Sequence, residues 1–173
     1  MDMIENGGTP AIATLFGFCL GGGLELPLAC HFRLAADRGA QMGLPEMDLG
    51  SVPAWGGSAR LPRAVGRTHA LDMILRGLKI DGEHAYRIGL VSELVPMAEL
   101  KARAQALGEE IAAQPRQAVK SMLDVVVGFE TKTLAESLAD EGAAVTASRG
   151  SANSLEGMQA FMEKRKPVFN QDL

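Results

Sequence analysis

An α/β core followed by a helical lobe is the fold class that this sequence predicts. Three observations carry it. The first third holds short apolar runs bounded by glycine and proline, at residues 11–16 (AIATLF), 24–30 (LELPLAC) and 31–36 (HFRLAA). From Gly57 onward the apolar residues recur at helical spacing. Beyond Pro96 helical spacing is the only pattern. The expected division is therefore an α/β core over residues 1–95 and a helical lobe over 96–173.

Residues 1–8 read as the end of a helix followed by glycine stop signals. Thr9-Pro10 starts an extended run, and 11–16 reads as a buried strand. Residues 17–23 read as a turn. The segment 24–30 opens a helix behind the glycines, in which Pro27 fits only within the first turn. A second buried strand is expected at 31–36, a turn at 37–39, and a short strand at 41–42 before the loop 43–46. Helices follow at 58–65, stopped by Gly66, and at 67–75, with Ala70, Leu71, Ile74 and Leu75 on one face. Asp81 suits the N-cap of a helix over 82–88. Residues 90–95 read as a strand.

In the lobe, a helix over 97–113 presents Leu100, Ala104, Leu107 and Ile111 on one face. Pro115 suits the first turn of the next helix, which carries Val119, Met122, Leu123, Val126 and Val127 at helical spacing. Thr133 and Glu136 fit a capping box for a helix with Leu134, Leu138 and Val145 on a stripe. The last helix, near 154–166, is expected to turn Leu155, Met158, Phe161 and Met162 inward. Its basic EKRK end would complement the helix dipole.

The 173 residues fit one domain with a small appended lobe. Hydrophobic content of 47%, charged content of 22% and a net charge of −4 are ordinary for a globular protein. Lys and Arg are spread along the chain, so no electrostatic footprint for nucleic acid is present. Residues 1–8 have no apolar signal-peptide core, and the apolar run 11–20 is too short to span a bilayer. A soluble cytoplasmic protein is the expectation. Cys19 and Cys30 sit in apolar company and read as buried thiols.

The chemistry-bearing residues cluster in residues 17–57. Gly21-Gly22-Gly23 stands between a strand and a helix, where bare backbone admits a close ligand and helix-start amides face an anion; taken alone it is a tight turn. A dinucleotide fingerprint does not fit, because G-x-G-x-x-G is absent. Glu25 lies in an apolar segment, and Glu46 is aimed by Pro45. Taken alone, each also reads as a structural or solvated acid, and Asp48 as a solvated one. The segment PAWGG (53–57) gives a second set of free amides ahead of a helix. Trp55 walls a pocket or packs. His31 reads as a satisfied core residue, His69 and His84 as solvent-facing, and the three show no metal-ligand spacing. A serine triad is excluded by the lack of a G-x-S-x-G elbow.

In their order, GGGLELPLAC, GLPEMDLGSVPAWGGSARLPR, IGLVSELVP and EGMQAFMEKRKP resemble the crotonase superfamily, the enoyl-CoA hydratases and isomerases. The resemblance covers nearly the whole chain. It implies a crotonase-like spiral of ββα units and a C-terminal helical trimerisation lobe, assembled as a homotrimer or a dimer of trimers. The implied activity is addition of water across the 2,3 double bond of an enoyl-CoA thioester, a step of fatty acid β-oxidation. Coenzyme A would be part of the acyl-CoA substrate, with no other cofactor and no metal. Gly22 would donate its amide to the thioester oxygen. Glu25 would activate the water and Glu46 would deliver the proton to Cα. The Ala54 amide would help hold the water. Phe161 and Lys164 match positions beside the CoA adenine and phosphates.

Departures are an extra residue in the 37–40 turn, Ala54 where glycine is common, and Pro27 where alanine is usual. Family members also carry a further N-terminal region ahead of residue 11. The resemblance therefore implies a partial spiral: a fragment, a chain completed by a second polypeptide, or a sequence with residues omitted. Two alternatives stay open. One is an enoyl-CoA isomerase of the same fold; the other is an inactive subunit that keeps the oligomerisation lobe.

Overall fold

The computed structural model describes residues 1–171. They form two compact units: Met1–Glu5 with Pro10–Ala106, and Asn6–Thr9 with the residues from Leu107 onward.

The first unit opens with α1 (Asp2–Glu5) and continues through β1 (Ile12–Leu15), β2 (Phe18–Leu20) and α2 (Gly22–Leu28). Next come β3 (Phe32–Ala36), β4 (Gln41–Gly43), a 3-10 turn (Glu46–Leu49) and α3 (Gly57–Leu75). It closes with α4 (Gly82–Arg87) and β5 (Glu93–Val95). One sheet has the order β1-β3-β5 and the other pairs β2 with β4, all parallel. Parallel neighbours need a crossover between them. Two strands and a helix therefore repeat: β1, β2, α2, then β3, β4, α3. The chain turns between the strands of each pair at Gly17 (φ 59°) and Gly39 (φ 77°), both in the left-handed region that glycine enters without penalty. Leu15, Leu24, Leu34, Met42, Leu44, Leu61, Met73 and Leu90 are fully buried and make the core. In β3 the consecutive residues Leu34, Ala35 and Ala36 are all buried, which explains its apolar run, since a strand covered on both faces does not alternate.

Several expectations need correction. The stretch 17–23 is not all turn, because Phe18–Leu20 pairs with Gln41–Gly43 as β2. Pro27 lies beyond the first turn of α2. Its lost amide bond would have gone to the carbonyl of Gly23, which is exposed to water, and α2 ends one residue later. In α3 the backbone leaves helical geometry at the predicted stop, Gly66 (φ 77°, ψ 160°). Its buried residues beyond that break are Ala70 and Met73, while Leu71 and Leu75 are exposed. Asp81 does cap α4, accepting the His84 amide at 2.8 Å.

His31 precedes β3 and is satisfied at both ring nitrogens. Nδ1 accepts the Ala11 amide at 2.9 Å, and Nε2 lies 3.1 Å from the Glu5 carbonyl. An acceptor at Nδ1 fixes the Nε2–H tautomer. Cys19 and Cys30 are buried free thiols, and burial raises the pKa of each.

The helix α5 (Leu100–Ala112) leads from the first unit into the second, which contains α6 (Arg116–Gly128), α7 (Leu134–Ser148) and α8 (Ala152–Glu163). Pro115 is the N-cap of α6 rather than part of its first turn. The Thr133–Glu136 capping box forms with both reciprocal bonds. The inward face of α8 differs from the expected one. Leu155, Met158, Phe161 and Met162 are exposed, and Ala160 is fully buried. The reason is the tail. Asn170 exchanges bonds with Asn153 (2.7 and 3.0 Å), Glu156 takes the Val168 amide and Arg165, and Phe169 approaches Gly157. The tail thus covers the small and polar side of the helix. The bonds from Arg165 and the Val168 amide hold the Glu156 carboxyl at a pKa of about 2. The last turn of α8 has no basic residue. Lys164 follows it in the left-handed conformation (φ 55°), and the Arg165 amide reaches back to the Ala160 carbonyl at 3.0 Å, a Schellman closure. Leu134, Leu138 and Val145 on α7 are exposed as well.

Candidate active site

The site grows from the start of α2. Gly21 has φ 55° and ψ −126°, and its amide bonds the Gly43 carbonyl at 3.0 Å, tying the helix start to the end of β4. The amides of Gly22 and Gly23 are the first two of the helix and have no intrahelical acceptor. Together with the helix dipole they favour an acceptor that carries negative charge.

Glu25 lies a turn into this helix and is 3% exposed. Its Oε1 accepts the Trp55 amide at 2.8 Å and the Gly57 amide at 2.9 Å. A buried carboxylate is tolerated when donors replace water, and this pair supplies them. Both bonds end on Oε1, so Oε2 is uncommitted. The fit is close: a Cβ built on Gly57 would stand 2.9 Å from Glu25 Cγ, from Glu25 Oε1 and from Leu44 Cδ1.

Glu46 opens the 3-10 turn that follows β4. Its Oε1 would be 3.2 Å from a Cβ on Gly21, so this carboxylate also reaches the start of α2. Its Oε2 is buried and has no hydrogen-bond partner among the described residues. Buried polar atoms are nearly always paired, and an orphan calls for a ligand or water to complete it. Two acids therefore meet at the start of α2: Glu25 from the helix itself, held by amides at the far end of the β4–α3 connection, and Glu46 from the beginning of that connection. One is anchored with an oxygen to spare, and the other lacks a partner.

Gly22, Glu25 and Glu46 come together here, and Ala54 stands exposed in the adjoining loop. The loop's amides are not all free, contrary to the expectation for PAWGG, because those of Trp55 and Gly57 hold Glu25. Sequence reasoning missed this clamp. Its signal was the glycine pair ahead of α3, where only the absence of a side chain at 57 lets Glu25 close in. Trp55 is 65% exposed, yet its ring lies on Gly22: a Cβ there would be 2.7 Å from Cζ3. Asp48 is exposed and pairs with Lys79 at 3.5 Å. Phe161 (84% exposed) and Lys164 belong to the second unit, apart from the acids in the chain's division. His69 and His84 meet edge to face at 6.2 Å. Among the described residues no three His, Cys, Asp or Glu side chains group as metal ligands, and no helix is long and apolar enough to cross a membrane.

A family model described as enoyl-CoA hydratase/isomerase matches residues 1–172. The chain belongs to this family. A relative from Bacillus subtilis described as a probable enoyl-CoA hydratase is 41% identical over 170 residues, covering 98% of this chain and 66% of its own length. The glyoxysomal fatty acid beta-oxidation multifunctional protein MFP-a of Brassica napus is 45% identical over 122 residues, 70% of this chain and 17% of that protein. The crystal structure of an enoyl-CoA hydratase from Bacillus anthracis superposes with a TM-score of 0.93 at 38% identity, covering 97% of this chain and 65% of that one. The mixed α/β architecture is thus the crotonase fold. The chain spans about two-thirds of the length of the hydratase relatives it matches.

Proposed function

We propose that this member of the enoyl-CoA hydratase/isomerase family adds water across the 2,3 double bond of an enoyl-CoA thioester, giving 3-hydroxyacyl-CoA. The observation that carries the reading is the pair Glu25 and Glu46 at one helix start, with Glu46 Oε2 unpartnered. Hydration needs a base for the water and an acid for Cα, on groups close enough to share one substrate. Glu25, oriented by two amides, takes a proton from the water as its oxygen bonds Cβ. The C2–C3 π electrons shift toward the thioester, and Glu46 delivers a proton to Cα. Proton exchange with solvent then resets both acids. Negative charge develops on the thioester oxygen, where the Gly22 amide donates. The exposed Ala54 amide is assigned to the water. Coenzyme A is the substrate's own carrier group, and the proposal uses no other cofactor and no metal.

Phe161 and Lys164 are assigned to the CoA adenine and phosphates. Phe161 and Lys164 are both exposed, so each is open to a ligand. The exposed apolar residues of α7 and α8 suit assembly as a homotrimer or a dimer of trimers. A role in fatty acid β-oxidation fits the name of the plant protein, and a cytoplasmic location is assigned by likeness to the bacterial relative.

The test is product analysis with crotonyl-CoA and, separately, with its unconjugated isomer 3-butenoyl-CoA, in heavy water. Hydration of crotonyl-CoA adds the elements of water and places deuterium on C2; isomerisation converts 3-butenoyl-CoA to crotonyl-CoA without a gain of water. Isomerisation of 3-butenoyl-CoA with no hydration of crotonyl-CoA would replace the hydratase reading with the isomerase one. No product from either thioester would favour the inactive subunit.

A further inference from the structure

We infer that the Trp55 indole is a specificity-determining wall of the acyl site, selecting enoyl thioesters that are unbranched at Cα. The inference rests on the hydratase reading and assigns a side chain that reading does not use. A Cβ built on Gly22 would lie 2.7 Å from Cζ3 and 3.0 Å from Cε3 of Trp55, so the six-membered ring edge occupies the space a side chain would fill. At the first position of a helix the Cα–Cβ bond and the N–H both tilt toward the N-terminal side. The ring therefore stands beside whatever accepts the Gly22 amide. For a thioester oxygen held there, the atom next along the acyl chain is Cα.

The backbone that carries the ring is held in place. The Trp55 amide donates to buried Glu25 at 2.8 Å, and the Trp55 carbonyl accepts from Arg60 Nη1 at 3.4 Å. Arg60 is itself fixed by a two-pronged ion pair to Glu5 at 3.0 and 2.6 Å. Gly56 (φ 102°) follows in a conformation closed to most residues. A bulky aromatic on so fixed a backbone, with one ring edge against Gly22 and the residue 65% exposed as a whole, offers a flat apolar surface to the site. A planar conjugated enoyl group lies against such a surface, and a methyl on Cα meets it. One methyl in an apolar pocket discriminates by about 10–200-fold.

The experiment compares crotonyl-CoA with its 2-methyl analogue, tiglyl-CoA, in the full-length protein and in Trp55→Ala and Trp55→Phe variants. The ratio of kcat/KM for crotonyl-CoA over tiglyl-CoA is expected to fall by about tenfold or more in Trp55→Ala and by less in Trp55→Phe. Indole emission, taken as the difference from Trp55→Phe, is expected to change with acetoacetyl-CoA and not with free CoA. Crotonyl-CoA hydration with an unchanged ratio in folded Trp55→Ala overturns the inference and leaves the hydratase reading standing. If neither thioester is hydrated, the hydratase reading falls, and the fluorescence still decides the wall: an emission unmoved by acetoacetyl-CoA overturns it.

Discussion

Glu46→Gln is expected to cut crotonyl-CoA hydration by about 10²–10⁴-fold, the range set by loss of a positioned acid or base. The change keeps the shape of the side chain and removes only its ability to give and regain a proton. Little else should follow. Glu46 Oε1 lies 3.2 Å from where a Cβ on Gly21 would stand, and Oε2 has no partner to lose among the described residues. Thermal stability should therefore stay within about 1 kcal/mol of the parent. Steady-state kinetics beside a melting curve separate the two effects. Near-parental turnover would remove Glu46 from the reaction, and a large drop in Tm would make its role structural.

Gly57→Ala is expected to damage both stability and turnover. The added methyl would stand 2.9 Å from Glu25 Cγ, Glu25 Oε1 and Leu44 Cδ1, well inside ordinary carbon contact. Neither neighbour has room to yield, since Leu44 is fully buried and Glu25 is tied to the Gly57 amide itself. Overpacking of this kind costs about 1–3 kcal/mol. The same shift moves the Glu25 carboxylate, and a displacement near 1 Å at a reacting group costs about 10²-fold in rate. Denaturant titration with an m-value and a kcat measurement test this together. A variant with the parental midpoint and turnover would show that the 55–57 loop does not hold Glu25 under tension of space.

What could be read from the sequence differs between the two halves of the argument. Gly66, Asp81, Thr133 and Glu136 act through their immediate neighbours, and their local signals carried over into caps and breaks. Gly22, Glu25 and Glu46 were legible because their order matches a family, although each alone had a plainer explanation. Phe18–Leu20 was hidden because three residues between glycines resemble a turn, and only the distant partner Gln41–Gly43 makes them a strand. The α8 residues failed for another reason. Periodicity identifies an apolar face but not what lies against it, and the tail from Arg165 onward claims the opposite side. The amides that clamp Glu25 leave no trace in the sequence beyond the glycine at 57.

The two sheets also dictate an order of assembly. Their pairs are all parallel and distant in sequence: Ile12 meets Phe32, and Leu34 meets Glu93. Closing such long loops costs chain entropy before any rung forms. By contrast α6 and α7 are neighbours in the chain and in space, and the capping box starts α7 locally. Local contacts form fast and non-local ones slowly. Pulse-labelled hydrogen exchange should find the α6–α7 hairpin protected before β3 and β5, and the reverse order would contradict this. Glu25 and Glu46 hang on the late-forming part, so their convergence becomes the last feature the refolding chain acquires.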